Sequence, residues 1–179
     1  AHLNSKADFI IVGGGIANTF LKSQGFNVGE SLVENDMIEI AEELFNSSKI
    51  ILPNKVIVAD SIDSNYSTIK NIDSVSSSDK IFDINLSSNM SEILKSSKTI
   101  LWNGPIGVFE KEPFQKGTHQ LATTIAKSKA FSLAGGGETI AAINKFINKD
   151  EVSYCSTGGG AFLEYMEGKI LPSIEALGG

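Results

Sequence analysis

Cysteine is almost missing from these 179 residues: one, Cys155, lies in an apolar run, so no disulfide can form within the chain and it reads as a small buried hydrophobe. Histidine is nearly as scarce. With only His2 and His119, zinc chemistry has too few ligands, and His119 reads as a solvated helix residue. Positive charge is outnumbered, 15 Lys and Arg against 21 Asp and Glu, for a net charge of -6. That balance argues against a nucleic-acid partner or an anionic membrane surface, and an anionic ligand would need local positive potential. No stretch approaches the roughly 20 apolar residues of a membrane span. The N-terminus lacks the basic, apolar and small-residue order of a signal peptide, so the chain reads as cytoplasmic.

What is present is an ordinary core and an unusual supply of glycine. With 41% hydrophobic and 20% charged residues the chain suits one globular domain over 1–179. Short apolar runs alternate with helical patterns. Strands are expected at Phe9 to Val12, Ile50 to Leu52 with Val56 to Ala59, Thr99 to Trp102, Phe131 to Ala134 and Val152 to Cys155. Helices are expected at Ala17 to Ser23, closed by Gly25, then over a stretch whose buried stripe is Met37, Ile40, Ala41, Leu44 and Phe45. Further helices are expected at Met90 to Lys95, Thr118 to Lys127, Thr139 to Asn148 and Ala161 to Glu167. Near-continuous apolar strands separated by helices imply a Rossmann-like α/β fold, three layers around a mostly parallel sheet. Serine-rich "DSVSSSD", 73–79, reads as a loop inside that fold.

Nine of the 17 glycines fall in three triplets, "IIVGGGIANTF", "SLAGGGETIAA" and "CSTGGGAFLEY", each after an apolar β run and before a helix. At the carboxyl edge of a parallel sheet, bare backbone admits a ligand closely, and the free amides of a helix start attract anions, phosphate above all. Tight strand-to-helix turns alone would also account for any one triplet. Two phosphate signatures are absent: the dinucleotide fingerprint needs a small residue where Asn18 stands, and no G-x-x-x-x-G-K-[ST] occurs.

"TILWNGPIGVFE", 99–110, adds an irregular turn at a strand end, made by Asn103, Gly104, Pro105 and Gly107, with Glu110 just beyond and Trp102 reading as core. Together "VGGGIANTFLK", "WNGPIGVFE", "FxKGT" (Phe114 to Thr118), "AGGGET" and "STGGGAFLEYMEGKILP" resemble, in order and spacing, the C-terminal nucleotide-binding domain of the phosphoglycerate kinases, from about Leu3 to Leu177. The resemblance implies a glycolytic phosphotransferase with a carboxyl-group acceptor, moving a phosphoryl group between 1,3-bisphosphoglycerate and ADP to give 3-phosphoglycerate and MgATP. It also implies site roles. Gly14 and Gly15 would lie along adenine and ribose, Glu110 would accept from the ribose hydroxyls, and Asn103 and Pro105 would line the groove. Gly136, Gly137 and Thr139 would meet the phosphate tail, with Glu138 beside magnesium. Gly158, Gly159 and Gly160 would turn the amides of a helix start toward the transferring phosphoryl group.

The sequence departs from the family pattern in several places. Glu138 replaces the usual Asp, one methylene longer, so magnesium must shift or be reached through water. Asn85 in "IFDIN" stands where the family has a glycine against adenine. By the same resemblance a G-G-[AS]-K-V segment with a phosphate-contacting lysine, the first strand of the domain and an N-terminal, glycerate-binding domain would precede Leu3, and without them a sheet with an open slot, or a partner chain filling it, is the expectation for residues 1–179. The partners expected are therefore ADP or ATP and the missing N-terminal domain, with the isolated chain inactive. The alternatives are a stand-alone nucleotide- or anion-binding module and a non-catalytic interaction domain.

Overall fold

The computed structural model describes residues 6–47, 49–156, 158–176 and 178; His2, Leu3, Thr157 and Leu177 lie outside them. The chain runs β1 (Ile10–Ile11), α1 (Gly14–Ser23), α2 (Ile38–Ser47), β2 (Ile50–Ile51), β3 (Lys55–Ala59), β4 (Thr68–Asn71), β5 (Lys80–Ile84), α3 (Ser88–Ser96), β6 (Thr99–Asn103), α4 (Lys116–Ala126), β7 (Phe131–Gly135), α5 (Gly137–Phe146), β8 (Tyr154–Ser156), α6 (Gly159–Met166) and α7 (Pro172–Ala176). It is a three-layer α/β fold whose parallel strands form two sheets, β1-β2 and β6-β7-β8, not hydrogen-bonded to one another among the described residues.

Buried apolar residues explain the elements. Leu21, Val56, Val58, Ile84, Met90, Ile100, Trp102, Ala122, Ile125, Ala134 and Ile143 form one continuous core under the sheets and helices, and their burial is the main stabilising term. α1 and α2 close a second cluster around Val12, Ala17, Phe20 and Ala41. α1 stops as expected: Gly25, at φ +81°, donates its N–H to the Lys22 carbonyl at 3.0 Å. α3 starts where the Ser87 hydroxyl accepts from the Met90 amide at 3.2 Å.

Three expectations are corrected. A third sheet is antiparallel, in the order β4-β3-β5, and neither β4 nor β5 stood out from the sequence because both carry charged and polar residues among their apolar ones. In the stripe expected of α2, Ala41 is buried and Leu44 and Phe45 pack beside it, but Met37 and Ile40 are 44% and 47% exposed. Met37 ends a short 3-10 turn before α2, which takes it off the helical stripe. Finally β8 begins at Tyr154, two residues late, because Lys149–Glu151 form a capped 3-10 turn in which the Glu151 carboxylate accepts from the Asn148 amide at 2.8 Å. Residues 73–79 form the expected loop, joining β4 to β5, and it packs Val75 into the core. Trp102 is buried, and His119 is exposed, stacked on Phe146 at 5.0 Å.

Candidate functional site

The parallel register aligns the sheet edge. Asn103 at the end of β6 pairs with Gly135 at the end of β7, which pairs with Ser156 at the end of β8. Two glycine triplets, 135–137 and 158–160, therefore leave the same carboxyl edge side by side. The first triplet follows β1 in the other parallel sheet, and it joins this edge through the turn after β6. Gly14 donates its amide to the Ile106 carbonyl at 3.1 Å, and a Cβ on Gly13 would lie 2.5 Å from Ile106 Cβ. All three joints thus meet the 103–107 turn or its neighbouring strands.

That turn is held from four sides. The Gly104 amide donates to Thr139 Oγ1 at 2.7 Å, Trp102 Nε1 donates to the Gly104 carbonyl at 2.9 Å, and the Ile106 amide donates to Thr118 Oγ1 at 3.2 Å. Asp83 supports it from β5. This carboxyl is 1% exposed, and its two oxygens accept from the Gly117 amide at 2.6 Å and the Ile84 amide at 2.9 Å. Burial pushes its pKa up to about 7, against the two amides, which pull it down. A Cβ on Gly107 would come within 2.0 Å of Asp83 Oδ1, so the turn closes onto the carboxyl only because Gly107 is bare.

The glycines are bare for different reasons. A side chain on Gly135 would strike the Phe162 ring at 2.3 Å, which is packing, and Gly136 has φ +94°, a conformation L-residues avoid. At Gly137 and Gly160 a Cβ would meet nothing within 4 Å, and at Gly158 only Ser156 Oγ at 3.6 Å. No steric rule of the fold calls for glycine at those three positions. They leave open space over the starts of α5 and α6, where the Gly158 amide donates to Ser156 Oγ at 3.3 Å and the first-turn amides of a helix favour an anion.

Around this edge Asn103, Glu110, Gly137 and Glu138 are exposed, while Gly14, Gly15, Pro105 and Gly136 are half-buried. Thr139 is fully buried, and its hydroxyl accepts from the Gly104 amide. Asn85 is half-buried and donates its amide to the Lys55 carbonyl at 3.0 Å. Leu32 was not singled out from the sequence. It is 76% exposed, yet its Cδ2 would lie 3.3 Å from a Cβ on Gly15, and Asn18 Nδ2 fixes its carbonyl at 3.2 Å. An isolated leucine in "GESLVEND" is too ordinary a signal to find it.

Parallel strands with bare joints at one carboxyl edge and helices over them define a Rossmann-like α/β domain. A family model of phosphoglycerate kinase matches residues 1–169. The phosphoglycerate kinases of Coxiella burnetii and Baumannia cicadellinicola are 50% and 51% identical to the chain, each over 98% of it, but over only 47% and 46% of their own length. Two solved phosphoglycerate kinases superpose, from Coxiella burnetii with a TM-score of 0.91 at 49% identity and from Pyrococcus horikoshii OT3 with 0.80 at 33%. Each superposition covers 97% of this chain and 47% or 45% of the other. The chain belongs to the phosphoglycerate kinase family, and it spans about half the length of the curated relatives it matches.

Proposed function

We propose that this chain is the nucleotide-holding half of a phosphoglycerate kinase, and that it binds ADP or ATP along the edge where the glycine joints converge. The observation that carries the proposal is the open space at Gly137, Gly158 and Gly160, where the fold itself has no need of glycine. Adenine would lie on Gly14 and Gly15 with Leu32 as an apolar wall. Glu110, an exposed carboxylate with two acceptor oxygens, would take the ribose hydroxyls, with Asn103 and Pro105 beside the sugar. The phosphates would reach the amides of Gly136 and Gly137, with Thr139 fixing the turn beneath them. Gly158, Gly159 and Gly160 would present their amides to the phosphoryl group in transfer, where fixed donors act on charge that spreads over its oxygens.

Magnesium suits this donor set. Among the described residues no cluster of three or more metal-ligating side chains exists, and Glu138 is a single exposed carboxylate at the start of α5. A magnesium ion carried mainly by nucleotide phosphates and water needs only one such group, and when bound it neutralises charge on the phosphates. Acceptor positioning belongs to a second domain, because in-line alignment supplies much of the rate in this chemistry. The chain alone should therefore bind nucleotide without turning over, and among its described residues no helix is long and apolar enough to cross a membrane.

Calorimetry with ADP tests the reading. Binding in the range of tens of micromolar to millimolar is expected, roughly 4 to 6 kcal/mol. Glu110→Ala should weaken adenosine and ADP alike, and Glu138→Ala should weaken only the magnesium-dependent part. Absence of ADP binding at millimolar concentration sinks the assignment.

A further inference from the structure

The segment from Gly104 to Phe109 is gripped at both ends by one helix. At the start of α5, Thr139 Oγ1 accepts from the Gly104 amide at 2.7 Å; near its end, Lys145 Nζ donates to the Phe109 carbonyl at 2.7 Å. The two residues are six apart, about 9 Å along the helix axis. The Phe109 carbonyl belongs to the peptide bond that leads into Glu110, so whatever fixes that oxygen fixes the plane from which the Glu110 backbone departs.

The ammonium is itself well located. Nζ lies 5.9 Å from the Phe109 ring centre and 5.4 Å from that of Phe146, and those two rings meet edge to face at 6.2 Å. Phe109 is 4% exposed and anchored in the core. A charged donor between two ring faces and a carbonyl has hydrogen-bond and cation–π reasons to stay in place. A lysine serving only the carboxyl end of its helix would not need to reach a carbonyl 36 residues away in sequence.

We propose that Lys145 is a positioning residue for Glu110: by holding the Phe109 carbonyl it sets the direction in which the carboxylate meets a ribose. α5 would then carry the phosphate end of the nucleotide at its first turn and govern the sugar end from its last. The inference rests on the nucleotide reading above, and its test separates the two.

ADP and 2′,3′-dideoxy-ADP are titrated into the chain and into its K145M, K145R, E110A and E110A/K145M variants, with urea unfolding of each as a check on folding. Methionine keeps an apolar stem against the rings and removes the donor. K145M should bind ADP about 3- to 10-fold more weakly, a part of what one charge-assisted hydrogen bond is worth, because the lost bond orients Glu110 and does not itself touch ADP. Dideoxy-ADP, which lacks the hydroxyls Glu110 would accept from, should change less than about 2-fold, and K145M should add nothing to E110A, as expected of two residues acting as one unit. K145R should recover part of the loss. An equal loss for both nucleotides, an additive loss in the E110A background, or no loss at all overturns the proposal while leaving nucleotide binding intact. Failure of the unaltered chain to bind ADP removes the nucleotide reading and the positioning role with it.

Discussion

The β6-β7-β8 sheet and the β4-β3-β5 sheet contribute to the same turn by different means. The parallel sheet works through backbone: its strand ends Asn103, Gly135 and Ser156 stand in register, and each chain then enters a turn or helix that keeps side chains out of the way. The antiparallel sheet works through side chains and packing. β5 sends Asp83 under the turn to accept from Gly117, its Phe82 carbonyl accepts from the Val108 amide at 2.8 Å, and Phe82 packs on Phe114 with ring centres 4.7 Å apart. One sheet therefore presents the candidate site and the other supports it from beneath. Substitutions in the support should cost stability first, and substitutions at the bare edge should cost binding first.

The largest expected effect lies where the start of α4 is seated on β5. A Cβ on Gly117 would stand 2.0 Å from the Ile84 carbonyl oxygen and 2.4 Å from Asp83 Oδ1. The first of these is backbone and cannot swing aside, so Gly117→Ala must displace the start of α4 or break the Asp83 contact. A loss of about 3 kcal/mol or more is expected, read from urea unfolding, because overpacking and a disturbed buried carboxyl act together. Stability within about 0.5 kcal/mol of the unaltered chain would mean that α4 is not seated on β5 in this way.

Asp83 gives the next effect, and its sign follows from its raised pKa. The folded carboxyl, at about 7, keeps its proton over a range where the unfolded one, at 3.8, has lost it. Folding therefore binds a proton, and the stability so gained is present at low pH and lost as pH rises toward 7. Between pH 5 and 7 the chain should lose about 2 kcal/mol from this group alone. Asp83→Asn cannot titrate, so the difference in pH slope between the two proteins isolates the carboxyl. Equal slopes would show that the Gly117 and Ile84 amides hold Asp83 ionised throughout.

The same division explains what could be read from the sequence. The parallel half was legible because its strands are near-continuous apolar runs, 99–102 and 131–134, followed by glycine-rich joints that stand out locally. Of the antiparallel half only the central strand was, as the apolar run Val56 to Ala59, since "TIKN" and "KIFDI" mix apolar, polar and charged residues in short strands whose pairing is set by partners elsewhere in the chain, such as Ile69 with Ile57. Within the site, glycine triplets are visible in one dimension, but the reason each glycine is bare is not. Gly135 yields to Phe162, 27 positions on, and Gly107 yields to Asp83, 24 positions back. Lys145 was hidden for the same reason: in "INKFINK" it is one more lysine near a helix end, and only the fold carries it to Phe109.

The smallest effect on stability is expected at the bare edge, and it separates the two roles of glycine most cleanly. Gly137 opens α5, has no φ in the left-handed region, and would place a Cβ in open space. Gly137→Ala should leave stability within about 0.5 kcal/mol, with a small gain because alanine loses less backbone freedom than glycine in a helix. If Gly137 is bare so that phosphate can approach its amide, the same methyl should weaken ADP binding about 10-fold or more while leaving adenosine, which has no phosphate, within about 2-fold. Gly135→Ala should do the reverse, lowering stability through the Phe162 clash at 2.3 Å whether or not nucleotide is present. Calorimetry and urea unfolding of the two variants side by side decide the matter. Loss of stability at Gly137 with unchanged ADP affinity would make the triplet a turn element and nothing more.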